Sequence, residues 1–220
     1  MSATTKVRIW DAPTRMFHWA LVLLLCGSWI TQWKGWMNLH FLCGESILTL
    51  VLFRLIWGFV GSDTARFRTF LKSPAAALRH LSTLHRREPD TELGHNAAGG
   101  WMVLGLLGLL LLQVGSGLFG SVEVDEVEGP LRHLVSARIG EWLGNLHGYV
   151  FTAIQIAVAG HIIAILVYLV LKGHNLVRPM ITGTKTIEGP IIAPQLVSPI
   201  RAVAILVVAA AAVAALIRYL

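Results

Sequence analysis

Cysteine is scarce, with Cys26 and Cys43 the two in 220 residues. That excludes a disulfide framework, and neither the C-x-x-C-H attachment motif of a c-type haem nor a zinc-finger spacing occurs. Both thiols read as small buried hydrophobes. Charge is scarce too: 14% of residues are charged against 55% hydrophobic, with a mean hydropathy of +0.66. This excludes an ordinary soluble domain. The missing charge is missing in runs, since neither Asn96–Val122 nor Trp142–Leu171 contains Asp, Glu, Lys or Arg. A helix needs about 20 apolar residues to cross a bilayer. Five spans follow, at residues 17–33, 39–60, 97–120, 142–171 and 200–218. No small-residue cleavage site follows the first, which sits behind "RIWDAPTRMFHW", so it is not a cleavable signal. Hydrocarbon forces backbone groups to pair within each segment, and the expected class is an all-α integral membrane protein.

A net charge of +6 and a pI near 9.8 suit nucleic acid only if the cations cluster into one binding face. They distribute by loop instead. Segments 1–16, 61–95 and 172–199 hold 3, 6 and 3 Lys/Arg, against 1 and 2 in 34–38 and 121–141. The positive-inside bias puts the first group and the N-terminus in the cytoplasm. The loop over 121–141 is acidic, with Glu123, Asp125, Glu126, Glu128 and Glu141. It reads either as a plain solvated loop or as a docking surface for a basic partner. Pro74 opens "AAALRHLSTLHRR", a short amphipathic helix with basic residues toward lipid headgroups. Residues 1–180 form a four-span core, and Thr-, Gly- and Pro-rich residues 181–199 read as a linker. The Ala/Val-rich span 200–218 has no functional group and reads as an anchor.

Histidine is what the spans do carry. Of the nine, His80, His85, His133 and His174 fall in loops or at interfaces, whereas His18, His40, His147 and His161 fall in spans or at their ends. Ionisable residues there are costly and functional by default. One such imidazole can serve merely to bond a neighbouring helix, but four at matched positions ask for more. His147 and His161 are 14 residues apart, about 1400° of turn and about 21 Å of rise, hence on one face. Neutral imidazole is a common axial ligand of haem iron. Two ligands at that separation suit two stacked haems, His40 pairing with His147 on the outer side and His18 with His161 on the inner. Depths match imperfectly: His161 stands about 15 Å above Leu171 by helical rise, whereas His18 barely enters its apolar run. A fourth span overhanging the inner surface would ease this, and so would a first span beginning nearer Trp10 with Arg15 snorkelling.

Small residues accompany the ligands. Gly44 follows His40 by one turn, and Gly144, Gly148 and Gly160 flank the other two. They read either as room for a flat macrocycle or as ordinary close packing of helices. Arg15 lies one turn before His18, and Arg54 lies 14 residues after His40; each is a candidate partner for a haem propionate. A zinc site would need four converging ligands rather than two layers of two.

"RIWDAPTRMFHW", His40 with Gly44, "LFRLIWGFVGS", "LGHNAAGGWM", "GNLHGY" and "PMITGTK" together resemble the bacterial di-haem cytochrome b561 family, relatives of the b-type subunits of nickel–iron hydrogenases and formate dehydrogenases. The resemblance covers roughly residues 7–186 and does not reach the last helix. It implies two non-covalent haem b groups on His18, His40, His147 and His161 in the bacterial inner membrane. It also implies electron transfer between quinone and a protein partner at the outer face, a c-type cytochrome or a hydrogenase-like enzyme. Quinone would bind near the inner haem, where His95 and Asn96 stand beside Gly94, Gly99 and Gly100. A simpler role for that pair is a helix cap and a loop contact. Two other classes stay open, a His-lined proton pathway and a non-redox anchor subunit. Gln113, Thr152 and Gln155 are sparse for the former.

Overall fold

The computed structural model describes residues 4–83, 91–122, 127–189 and 191–219. Strand β1 (Thr4–Arg8) leads into α1 (Ala12–Trp33) and α2 (Met37–Val60). Two short helices follow, α3 (Phe67–Phe70) and α4 (Pro74–Ser82), then α5 (Ala97–Phe119). A two-residue ladder, β2 (Ser121–Val122) with β3 (Val127–Glu128), precedes α6 (Ala137–Val167), which continues as a π turn over Tyr168–Lys172. The chain closes with α7 (Val177–Thr182), β4 (Thr184–Glu188) and α8 (Pro199–Tyr219). Five of these helices are long and apolar enough to cross a membrane, in the places the charge-free runs indicate. The first begins at Ala12, earlier than the apolar run alone suggests, because Asp11 caps it: the carboxylate accepts the Thr14 N–H at 2.7 Å. His18 therefore stands six residues into its helix, about 9 Å.

Contacts divide the chain into two units. The first comprises residues 1–17, 55–105 and 158–202. Its centre is β1 paired antiparallel with β4, Thr4 opposite Glu188 and Arg8 opposite Thr184. Val7, Ile9, Trp10 and Ile187 pack there, with Leu93, Met180 and Ile191 around them. The segment over 181–199 is thus not a free linker. Thr184–Glu188 within it is a strand, and Gln195 and Val197 then donate their N–H groups to the Asp63 carboxylate (2.9 Å) and the Ser62 hydroxyl (3.0 Å). Asp11 also accepts the indole N–H of fully buried Trp57 at 3.1 Å. At Gly58 an added Cβ would meet the Phe67 ring at 2.0 Å, so a glycine is needed for α3 to fold back on α2.

The second unit comprises residues 18–54, 106–157 and 203–220. It holds the bodies of the long helices and the turn between α5 and α6. The Leu131 N–H donates to Leu118 O, and the Gly129 N–H to Gly120 O, folding that turn against the end of α5. A Cβ at Gly129 would strike Gly117 O at 2.1 Å, and one at Gly144 would strike Ser121 O at 2.1 Å. Gly144 is therefore a packing glycine. Of the acidic loop, Glu123, Asp125 and Glu126 lie outside the described residues, as does His85. Glu128 is exposed and Glu141 half-buried.

Candidate functional site

Within the second unit, His40 near the start of α2 meets His147 of α6, ring centres 6.2 Å apart with planes at 77°. Each imidazole is held from behind. His40 Nδ1 lies 2.9 Å from Ser28 O on α1, and His147 Nδ1 lies 2.8 Å from Gln113 O on α5. A carbonyl only accepts, so both Nδ1 atoms carry the proton and both Nε2 atoms keep a lone pair. This is how a metal-binding imidazole is held: the bond at one nitrogen fixes the tautomer and aims the other. Metal–nitrogen bonds of about 2 Å place the ring centres of two trans imidazoles roughly 6 Å apart. The pair fits a bis-imidazole-ligated iron. The Gln113 amide N–H points at the same His147 Nε2, 3.0 Å away, so this flexible side chain has to turn aside when a metal binds there.

The shell of His147 is close. Ser116 Oγ stands 3.4 Å from Nδ1, and an added Cβ at Gly117 would come within 2.8 Å of the ring. Around the ligands the glycines separate into two kinds. At Gly44 and Gly148 a Cβ would meet no atom within 4 Å, in contrast to Gly144. The first two are not explained by close helix packing.

His18 is half-buried on α1 in the second unit, its ring edge-on to Trp19 at 4.9 Å. His161 is half-buried on α6 in the first. Arg54 is 2% exposed, a deeply buried guanidinium on the helix that carries His40. Arg15 donates to Ile181 O at the end of α7, and a Cβ at Gly183 would press on its guanidinium at 3.1 Å. That contact gives Arg15 a structural role, tying α1 to the start of β4. His95 sits between Trp10 and Phe70, ring centres at 4.7 and 4.8 Å. Asn96 caps α5, its Oδ1 accepting the Gly99 N–H at 2.7 Å, while its Nδ2 donates to the Tyr168 hydroxyl at 2.7 Å. His80 of α4 bonds the same hydroxyl.

Sequence reasoning passed over Gln113, Ser116 and Gly117 as a shell for His147, and Tyr168 and His80 as a pair. Polar or small residues at i, i+3 and i+4 in an otherwise apolar run mark one helix face, the signal that was there to find. Among the described residues no three His, Cys, Asp or Glu side chains gather in one place.

A family model described as prokaryotic cytochrome b561 matches residues 9–183. Searches of curated proteins and of solved structures return no significant match. The matched region takes in every in-span histidine and the first four long helices. The chain belongs to the prokaryotic cytochrome b561 family, and it is a multi-pass membrane b-type cytochrome of electron transfer.

Proposed function

We propose that this cytochrome holds two b haems and passes electrons between a quinone and a redox protein at the outer face of the bacterial inner membrane. The observation that carries the reading is the His40–His147 pair: facing rings, each Nδ1 tied to a carbonyl. His40 and His147 are the ligands of the outer haem. His18 and His161 are those of the inner one, supported by the 14-residue spacing to His147 and by the family. A bound b haem supplies a one-electron carrier whose potential is set by ligands, hydrogen bonds and burial. The chain's own part is to hold and insulate it. Ser28 and Gln113 orient the imidazoles, Gly44 and Gly148 make room, and Arg54, on the helix that carries His40, is a propionate partner. Arg15 is a second such partner, since its guanidinium has five N–H donors and the Ile181 contact uses one nitrogen.

The N-terminus is cytoplasmic, as the Lys/Arg bias of the loops supports. The quinone site lies by His95 and Asn96 at the mouth of α5. The redox partner, a c-type cytochrome or a hydrogenase-like enzyme, docks on the acidic loop over 121–141. The test is a haem count. His161→Ala and His147→Ala should each leave about one low-spin haem per chain by pyridine haemochrome assay and visible spectrum. Two haems retained in either variant removes that histidine from the ligand set.

A further inference from the structure

A cavity of about 300 Å³ in the first unit is lined by Lys72, Arg79, His80, Glu92 and His95, among others. That volume is at the small end for a ligand site, enough for a single ring. His80 forms one wall, and behind it stands the Tyr168 hydroxyl. Tyr168 is 8% exposed. It opens the π turn that ends at Gly173, a residue in the left-handed region with φ 75°. Turns of this kind are rare and concentrate at functional sites.

The hydrogen bonding has a definite sense. The Asn96 amide cannot be reversed, because its oxygen is committed to the cap at Gly99 N–H. Its nitrogen therefore donates to Tyr168, and the phenol oxygen is an acceptor from that side. Toward His80 the hydroxyl is still versatile, since an O–H both donates and accepts and its hydrogen rotates. His80 donates its Nε2–H to that oxygen whether neutral or protonated, and Nδ1 is the nitrogen that gains and loses the proton. Both charge states keep the contact, so neither strands a buried polar group. A carboxylate in this place would favour only the charged form. The rings of His80 and Tyr168 lie nearly parallel, at 15° and 6.2 Å. Lys172 and His174 face the pair from the Tyr168 side, with Lys172 Nζ 5.8 Å from the phenol ring.

We propose that this cavity receives the quinone headgroup, that His80 is its proton acceptor, and that Tyr168, fixed by Asn96, is the positioning residue. The inference rests on the quinone reading above and names the group that does its acid–base work. As a quinol hydroxyl loses its O–H bond, the proton forms an N–H bond at His80 Nδ1, and the electron leaves to the one-electron acceptor that a bound haem would supply. His80 then releases that proton to water at the cavity mouth. Two such rounds leave the quinone. The reverse direction runs the same bonds backward.

The experiment uses the full, haem-loaded chain, with duroquinol as reductant and haem reduction followed by stopped flow. His80→Gln retains a bond to Tyr168 but takes up no proton, and reduction should slow about 100-fold or more. Haem content, reduction by dithionite and calorimetric affinity for duroquinone should stay as in the parent. His80→Ala should be slow and partly restored by added imidazole. Tyr168→Phe should be slowed less, with an altered solvent deuterium isotope effect. A parent rate in His80→Gln with haems intact overturns the proposal, and so does a slow His80→Ala that imidazole does not rescue. If the parent itself neither binds duroquinone nor is reduced by duroquinol, the quinone reading fails and this inference falls with it.

Discussion

Gly117→Ala is the smallest change that should reach the proposed outer haem. The new methyl carbon would stand 2.8 Å from His147 Cε1 and 2.9 Å from Nδ1, where ordinary contact begins at 3.4 Å. The ring must retreat by the difference, 3.4 − 2.8, about 0.6 Å. It has little freedom to do so, because Nδ1 is bonded at 2.8 Å to Gln113 O, one turn back on the same helix as Gly117. Retreat from the methyl stretches that bond past the usual 3.2 Å limit. Loosening such an outer-shell bond typically costs 10–100-fold in metal affinity, about 1.4–2.7 kcal/mol. The overpacking itself adds about 1–3 kcal/mol. Purified Gly117→Ala should therefore lose much of one haem, or show one shifted component in a redox titration, with the other component unchanged. Gly115→Ala is the control, since a Cβ there meets nothing within 4 Å. A full haem complement and parent potentials in Gly117→Ala would refute the claim that His147 is held as a ligand by this contact set.

Asp11→Ala should destabilise the first unit by about 2–3 kcal/mol: roughly 1 for the lost cap and about 1–2 for the stranded indole N–H of buried Trp57. Asp11→Asn should cost less. Thermal unfolding in detergent reads the difference, and a shift equivalent to under about 0.5 kcal/mol would mean that Trp57 finds another acceptor. Neutralising Glu123, Asp125, Glu126 and Glu128 together should slow electron exchange with a basic periplasmic carrier about tenfold at low salt, the gap closing as salt rises. An unchanged rate at low salt would remove the loop as a docking surface.

The spans were legible because charge-free runs of sufficient length have one stable fate in hydrocarbon. Their ends were less so. The α1 start depends on one carboxylate, Asp11, whose second oxygen is committed to Trp57, 46 residues away. The strand over Thr184–Glu188 was hidden for a similar reason. Its partner is the N-terminal segment, and five residues of Thr, Lys, Ile and Glu beside two prolines carry no periodicity strong enough to reveal a pairing across some 180 positions. The histidines stood out because imidazole is conspicuous among Leu, Val and Ala. Their supports did not, because backbone carbonyls at Ser28 and Gln113 are present in any sequence, and only the fold selects which two are used.

The β1–β4 ladder also fixes a parity. Two strands that share hydrogen bonds must lie on the same side of a bilayer, and β1 and β4 are adjacent over five residue pairs. Four span-length helices separate them along the chain, so the path leaves and returns an even number of times. A chain that failed to insert one of the four would present its two strands to opposite compartments, where they could never meet. The ladder is therefore closed to a chain that misses a single crossing, and it forms after residue 188 has been synthesised. Helix α8 comes after this closure and is long and apolar enough to add one crossing. Tags placed on the two ends of the chain would then report from opposite sides of the membrane.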